Sequence, residues 1–261
     1  MTPKIIFFDI DDTLYLKAER RIPDSAKRAL HALKERGITA AIATGRGPSV
    51  LPPEIRRLMA ETGIELLVSI NGQYVEYRGQ TLAAFPMPPE EAAAVSGSLN
   101  RIGISHAFVS DNQISIAGTD DELLQALTSH GLPYSLDAQH YRRLPVYQMM
   151  AFYPPERESD IRAVLPAHIK TVRWHARGAD LIHQNGSKAR GIRAALDALG
   201  MQAADAMAFG DGPNDLEMME AVGFGVAMGN AVPELKALAD HVCPTAAEDG
   251  IYRALSGLGI I

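Results

Sequence analysis

The apolar run Ile5-Ile6-Phe7-Phe8 stops abruptly at Asp9, and the same change from apolar to polar follows residues 38–43, 66–70 and 206–209. Runs this short and this free of polar positions predict buried strands of a parallel sheet, not strands with one wet face. Between them the apolar spacing becomes helical. Ala26, Ala29, Leu30 and Leu33 share one face of a helix that Pro23-Asp24-Ser25 opens and Gly37 ends. Residues 53–62 repeat the pattern up to Gly63, and 187–199, 214–221 and 232–239 carry it through the C-terminal part, with a further strand at 223–228. This alternation predicts an α/β fold, a doubly wound, Rossmann-like parallel sheet.

The pattern changes after Phe85, where Pro86, Pro88 and Pro89 cluster as a linker. Residues 89–101, 120–130 and 155–164 read as helices; 105–110, 113–117, 146–153, 169–175 and 179–183 read as strands. Strands joined by such short turns predict a mainly antiparallel sheet with helices on one face. The expected organisation is a core of residues 1–85 and 184–261 interrupted by an inserted α+β domain, 86–183.

Composition narrows the function classes. With 261 residues and 47% hydrophobic content, the chain can bury one large core or two smaller ones. Its formal net charge of -6 leaves no general positive field, so neither nucleic acid nor an anionic membrane is an expected partner. The first apolar run is cut by Asp9, too early for the ~7–15 residues of a signal peptide. No uncharged apolar stretch approaches the roughly 18 residues of a membrane span. Cys243 is the only cysteine, which excludes an internal disulfide and predicts a buried small hydrophobe. A cytoplasmic protein is expected.

The polar residues that end the strands carry the chemistry. Asp9-Ile10-Asp11-Asp12-Thr13 follows the first strand, at the carboxyl end where open parallel sheets place ligands. Carboxylates crowded there repel one another and call for a cation, a shared proton or exposure to water. Mg2+ matches such hard oxygen donors best. The plain alternative is an acidic turn capping a helix. Phe209-Gly210-Asp211-Gly212-Pro213-Asn214-Asp215 repeats the arrangement, which weakens that alternative. Thr44-Gly45-Arg46 offers a hydroxyl and a backbone N–H, both phosphate donors, although alone it reads as a turn. Lys188 falls in a first helical turn, where the dipole disfavours a cation, so an anion is its expected partner; a solvated surface lysine is the alternative. Asn71-Gly72 marks a turn after the third strand. The histidines, among them His106, His130, His140, His168, His183 and His241, show no metal-ligand spacing and are expected in structural or surface roles. Met149-Met150 and Met218-Met219 read as core filling.

Taken in order, these elements resemble the haloacid dehalogenase superfamily of phosphotransferases. Asp9, Asp11 and Thr13 match its first motif, Thr44 its second, Lys188 its third, and Gly210-Asp211 with Asn214-Asp215 its fourth. The insertion resembles the C2B cap of Cof-like phosphatases, which also carry an Asn-Gly pair like Asn71-Gly72. One departure is Asp12, where the family usually has glycine; aspartate tolerates most of the same turn conformations. The resemblance implies a magnesium-dependent phosphatase acting on a small phosphorylated metabolite, a sugar phosphate or related phosphomonoester, through an aspartyl phosphate. Asp9 would be the nucleophile and Asp11 the acid and then the base, with carboxylate crowding a reason for Asp11 to hold a proton near neutral pH. Mg2+ would be held by Asp9, the backbone carbonyl of Asp11 and Asp211, with Asp215 direct or through water. Thr44, the Gly45 N–H, Lys188, Asn214, Asn71 and the Ile10 backbone would bind the substrate, with Thr44 and Lys188 sharing in catalysis. The cap would recognise the leaving group; Arg173, His175 and Arg177 are its candidate contacts, with solvated charge the plainer reading of each.

Three rival readings differ in class. A signalling receiver also gathers aspartates, Thr and Lys around a metal, but is shorter and places its phosphorylated aspartate after the acidic pair. A non-catalytic sugar-phosphate sensor would have no use for Asp11 as a proton shuttle. A phosphomutase with a cap beneath the first motif finds no room between Leu14 and Ile22.

Overall fold

A computed structural model describes residues 2–129 and 131–261, so His130 lies outside the described residues. Contacts divide the chain into two units. The first comprises the chain up to Arg46, Leu51–Ala83 and Ser187–Ile261; the second comprises Gly47–Val50 and Ala84–Gly186.

The chain begins with β1 (Ile5–Phe8), α1 (Asp24–Glu35), β2 (Thr39–Ala43), α2 (Pro53–Thr62), β3 (Leu66–Ser69), β4 (Tyr74–Tyr77) and β5 (Gln80–Ala84). The inserted unit supplies α3 (Pro89–Arg101), β6 (Ser105–Val109), β7 (Ile114–Ile116), α4 (Asp121–Ser129), β8 (Ser135–Leu136), β9 (Gln148–Phe152), α5 (Glu158–Val164), β10 (Ile169–His175) and β11 (Gly178–His183). The first unit resumes with α6 (Lys188–Ala198), β12 (Ala206–Gly210), α7 (Leu216–Glu220), β13 (Phe224–Ala227), α8 (Pro233–Leu238), β14 (His241–Val242) and α9 (Gly250–Gly257).

The first unit is built on a sheet of order β14-β13-β12-β1-β2-β3-β4-β5. From β14 to β3 every pair is parallel, and β3 with β4 is antiparallel. Alternate side chains of β1 feed two cores. Ile6 and Phe8 pack with Leu30, Ile55 and Leu255 from α1, α2 and α9, whereas Ile5 and Phe7 pack with Ile192, Leu196 and Met218 from α6 and α7. All four are fully buried, each worth about 1.5–3 kcal/mol of transfer free energy. Burial on both faces is why the strand carries no polar position. Phe8 stands opposite Phe209 of β12 and Ile42 of β2, so these three strands end side by side. Both methionine pairs and Cys243 are buried, as their sequence contexts suggest.

The inserted sheet has the order β10-β11-β9-β6-β7-β8, antiparallel except for the parallel pair of β7 and β8. Its core joins Ala92, Val95 and Leu99 of α3 and Ile161 of α5 to Phe108, Met149 and Leu181 of the strands.

Several elements go beyond the sequence reading. The hairpin strands β4 and β5 were not expected; Arg78 and Gly79 between them both take positive φ, 53 and 72, the signature of a tight hairpin turn. Strands β8 and β14 and helix α9 are likewise additional. The helices expected at 155–164 and 214–221 each begin with a single 3₁₀ turn, Pro155–Arg157 and Pro213–Asp215, before α5 and α7. In both cases a proline opens the turn, leaving the first N–H position empty at no cost.

Candidate active site

The loops at the ends of β1, β2 and β12 meet the first turn of α6. The Asp9 N–H donates to the Phe209 carbonyl at 3.0 Å, continuing the sheet one residue past β1. The chain then folds tightly: the Ile10 carbonyl accepts from Thr13 N–H at 3.3 Å and Tyr15 N–H at 2.8 Å, while the Ile10 side chain is fully buried. Asp12 occupies the left-handed region, φ 61, a conformation that aspartate tolerates better than most residues other than glycine. Its carboxylate accepts from Lys17 N–H at 3.1 Å, a local bond that helps hold the conformation.

At the end of β2, Thr44 N–H donates to the Val68 carbonyl and Thr44 Oγ1 accepts from Arg46 N–H at 3.1 Å. Thr44 is buried. The adjoining turn is strained: Ile70, Asn71 and Gly72 all take positive φ, 50, 49 and 80. Left-handed non-glycine residues cost about 1–3 kcal/mol each, and bonds from Ile70 N–H to the Arg46 carbonyl and from Asn71 N–H to the Thr44 carbonyl offset this. The result places Asn71 against Gly45, where an added Cβ would lie 3.0 Å from Asn71 Oδ1. Asn214 Nδ2 donates to that same Oδ1 at 3.2 Å.

Gly72 also sets the position of α6. A Cβ there would fall 2.0 Å from the Ser187 carbonyl oxygen, and one on Gly191 would fall 2.8 Å from the Gly72 Cα. The two glycines let turn and helix meet backbone to backbone. Lys188, in the first turn of α6, is thereby fully buried rather than solvated. Its Nζ donates to Asp9 Oδ1 at 2.5 Å and to Asp215 Oδ1 at 2.6 Å.

Beyond β12, Asp215 Oδ2 accepts from the Asp211 and Gly212 N–H groups, both at 2.9 Å. Gly210 must lack a side chain, because a Cβ would lie 2.6 Å from the Asp215 carboxyl carbon. Asp211 accepts from Thr13 Oγ1 at 2.8 Å and from Asn230 Nδ2 at 3.2 Å. Asn230 also donates to the Asp12 carbonyl, tying the first and last loops together.

Electrostatics separate three of the aspartates. Burial pushes the Asp9 carboxyl well above its ordinary value; Lys188 opposes this, and Asp215, Asp211 and Asp11 reinforce it. Burial, helped by Asp215, pushes Asp211 up to about 7 against the Thr13 hydrogen bond and Lys188. Lys188 is disfavoured by its own burial, yet Asp215 and Asp9 more than compensate and hold its ammonium charged. Asp11 behaves oppositely to expectation. Although burial raises it, a hydrogen-bonded ion pair with Arg46 prevails and holds it below the ordinary carboxylate value. Crowding therefore gives Asp11 no proton at neutral pH in this arrangement.

Oxygens of Asp9, Asp211 and Asp215 lie within 4.8 Å of one another. This all-oxygen set gathers three carboxyl groups around one shared ammonium, a crowding of acidic oxygens that suits a hard divalent cation. The site thus brings together Asp9, Asp11, Thr44, Gly45, Asn71, Lys188, Asp211, Asn214 and Asp215, with the Ile10 backbone in the same loop. Two participants escaped the sequence reading. Arg46 had a visible signal, its place beside Thr44-Gly45; Asn230 had none. Of the candidate cap contacts, Arg173 pairs with Glu158 at 2.8 Å, Arg177 pairs with Glu122 at 2.9 Å, and His175 Nδ1 accepts from Arg177 N–H, so each has a partner within its own unit.

A family model described as haloacid dehalogenase-like hydrolase matches residues 6–255. YkrA of Bacillus subtilis, provisionally named a phosphatase, is 35% identical over 263 residues, spanning 100% of both chains. The HMP-PP phosphatase of Cronobacter sakazakii is 31% identical over 250 residues, 90% of this chain and 87% of that one. The solved structure of the HAD subclass IIB sugar phosphatase BT4131 is 30% identical, covers 99% of this chain and 100% of its own, and superposes with a TM-score of 0.87. The chain belongs to the haloacid dehalogenase-like hydrolases and is one of their phosphatases.

Proposed function

We propose that the chain hydrolyses phosphomonoesters of small metabolites, sugar phosphates foremost, with Mg2+ and through an aspartyl phosphate on Asp9. The observation that carries this reading is the buried contact of Asp9 with Lys188, beside Asp211 and Asp215. An aspartate held by an ammonium at the carboxyl end of a central strand, with further oxygens for a cation, is the arrangement a phosphoryl group needs for anion to approach anion.

Asp9 attacks phosphorus, forming the acyl phosphate as the ester P–O bond breaks. Asp11 supplies the proton to the departing oxygen, then takes one from the water that attacks phosphorus and frees Asp9. The base role suits an Asp11 carboxyl that Arg46 holds below its ordinary value; the acid role requires Arg46 to let go of the carboxylate first. Thr44, the Gly45 N–H, the Ile10 backbone, Lys188 and Asn214 bind the transferring oxygens, and Asn71 orients Asn214. Mg2+ would be held by Asp9, the Asp11 carbonyl and Asp211 with Asp215 in support, and when bound it neutralises charge between nucleophile and phosphate. Residues 86–183 would act as the cap that selects the leaving group, and 1–85 with 184–261 as the catalytic core. Relatives named for HMP-PP and for sugar phosphates support a small phosphorylated substrate.

The test is phosphate release from a panel of sugar phosphates, nucleotides and phosphorylated cofactor precursors, in chelator and after Mg2+ is restored. Turnover that depends on Mg2+ and favours sugar phosphates is expected. Full activity in excess chelator removes the metal assignment, and a preference for nucleotides removes the substrate class.

A further inference from the structure

Within the inserted unit, two histidines distant in sequence turn onto one carboxylate. Glu91 lies in the first turn of α3, where the helix dipole favours negative charge. His168 precedes β10 and His183 ends β11, and the Gln184 N–H donates to the His168 carbonyl at 2.8 Å, extending that ladder by one rung. Nε2 of His168 contacts Glu91 Oε1, and Nε2 of His183 lies 3.1 Å from Oε2. The ring centroids are 5.4 Å apart, and one donor atom from each residue falls within 4.8 Å of the others.

We propose that Glu91, His168 and His183 form a metal site for a borderline transition cation of the Zn2+ class. Two imidazole nitrogens and one carboxylate oxygen suit such a cation, unlike the oxygen-only set around Asp9. Tetrahedral bonds to Zn2+ place donor atoms about 3.4 Å apart, so a cation enters this cluster with small side-chain adjustments. Each ring need only carry its proton on Nδ1 to free Nε2. Glu91 is 13% exposed and anchors the set, whereas His168 is 59% exposed and leaves a path for the ion and a fourth position for water.

The full chain, stripped with chelator and returned to excess Mg2+ to fill the oxygen site, is titrated with Co2+ while its visible ligand-field absorption is read. One equivalent should develop tetrahedral bands that Zn2+ then abolishes. His168→Gln and His183→Ala should each lose those bands; His168 is mostly exposed, so its variant tests the site without risk to the fold. No bands in the wild-type chain, or bands unchanged in both variants, overturns the proposal and leaves two hydrogen bonds onto Glu91.

Discussion

Arg46 grips both carboxylate oxygens of Asp11, Nε donating to Oδ2 at 2.7 Å and Nη2 to Oδ1 at 2.8 Å. Burial pushes this carboxyl up, and the Arg46 bond and charge more than reverse the push. Arg46→Ala keeps most of the burial and deletes the opposing charge, so the Asp11 carboxyl rises. In the dephosphorylation step, where the proposed base must be ionised, the acid limb of the pH–rate profile should move to higher pH. Arg46→Lys keeps the charge but not the two-pronged geometry and should fall between. Single-turnover decay of the phosphoenzyme as a function of pH reads the shift, and an unmoved limb in Arg46→Ala uncouples the two residues.

Asp9→Asn should cost all measurable turnover and no stability. A carboxyl whose folded value lies above its unfolded value destabilises the fold at any pH where it is ionised when unfolded. The nearly isosteric amide removes that penalty, and Lys188 keeps Asp215 as its partner. Metal-free thermal unfolding near neutral pH should show an unchanged or higher midpoint. A lower midpoint means that the Asp9–Lys188 attraction outweighs the burial of the carboxylate.

Gly191→Ala tests how Lys188 is placed. The new methyl would lie 2.5 Å from Val68 Cγ1 and 2.8 Å from the Gly72 Cα. The Gly72 backbone cannot yield as a side chain would, so α6 must shift at a cost of about 1–3 kcal/mol. Lys188 moves with it. Denaturant midpoints should fall, and turnover should fall further than the residual folded fraction explains. Turnover that tracks the folded fraction alone shows that Lys188 tolerates the shift.

The inserted unit has its own acid-sensitive network. Glu158 accepts from Tyr153 Oη at 2.9 Å, Thr171 Oγ1 at 2.7 Å and Arg173 Nη2 at 2.8 Å. Partial burial raises its carboxyl, but Arg173, Thr171, Tyr153 and Arg162 bring it from 4.5 down to about 2. A depressed value means stability that is present above 4.5 and lost as the pH falls toward 2. Glu158→Gln should lower stability at neutral pH and flatten its loss over that interval, read from denaturant midpoints at a series of pH values. A wild-type slope retained in the variant assigns the acid sensitivity to other groups.

The strand ends were legible because burial on both faces leaves a parallel strand no polar residue until it stops: the Phe8–Asp9 and Phe209–Gly210–Asp211 transitions mark where the sheet meets its ligand side. Lys188 announced an anionic partner by sitting against the dipole, though not that Asp9 and Asp215 hold it. What stayed hidden depends on long-range geometry. Arg46 and Asp11 are 35 positions apart, and Asn230 and Asp12 are 218 apart, so no local spacing records either pair. Glu91, His168 and His183 are likewise scattered, and only the register of β10 with β11 brings the two rings side by side. Strand β4 hid for another reason: Glu76 interrupts its apolar pattern, as expected where one face of a sheet near its edge is partly wet.

The acid role of Asp11 is tested by leaving groups of different basicity. A sugar alkoxide depends heavily on protonation as it departs, whereas nitrophenolate leaves readily without it. Asp11→Asn should therefore slow formation of the aspartyl phosphate from a sugar phosphate far more than from p-nitrophenyl phosphate. Steady-state rates conceal the difference, because the same residue is the proposed base of the second step, and a slow second step makes both substrates look alike. Rapid-quench measurement of the first turnover isolates departure of the leaving group. The Arg46 pair adds a further expectation: Asp11 must gain a proton before it can donate one, so the wild-type advantage for the sugar phosphate should shrink as the pH rises, while nitrophenyl transfer stays nearly level. If Asp11→Asn slows both esters equally in that first turnover, Asp11 is not the acid, and the carboxylate that Arg46 holds serves only to activate water.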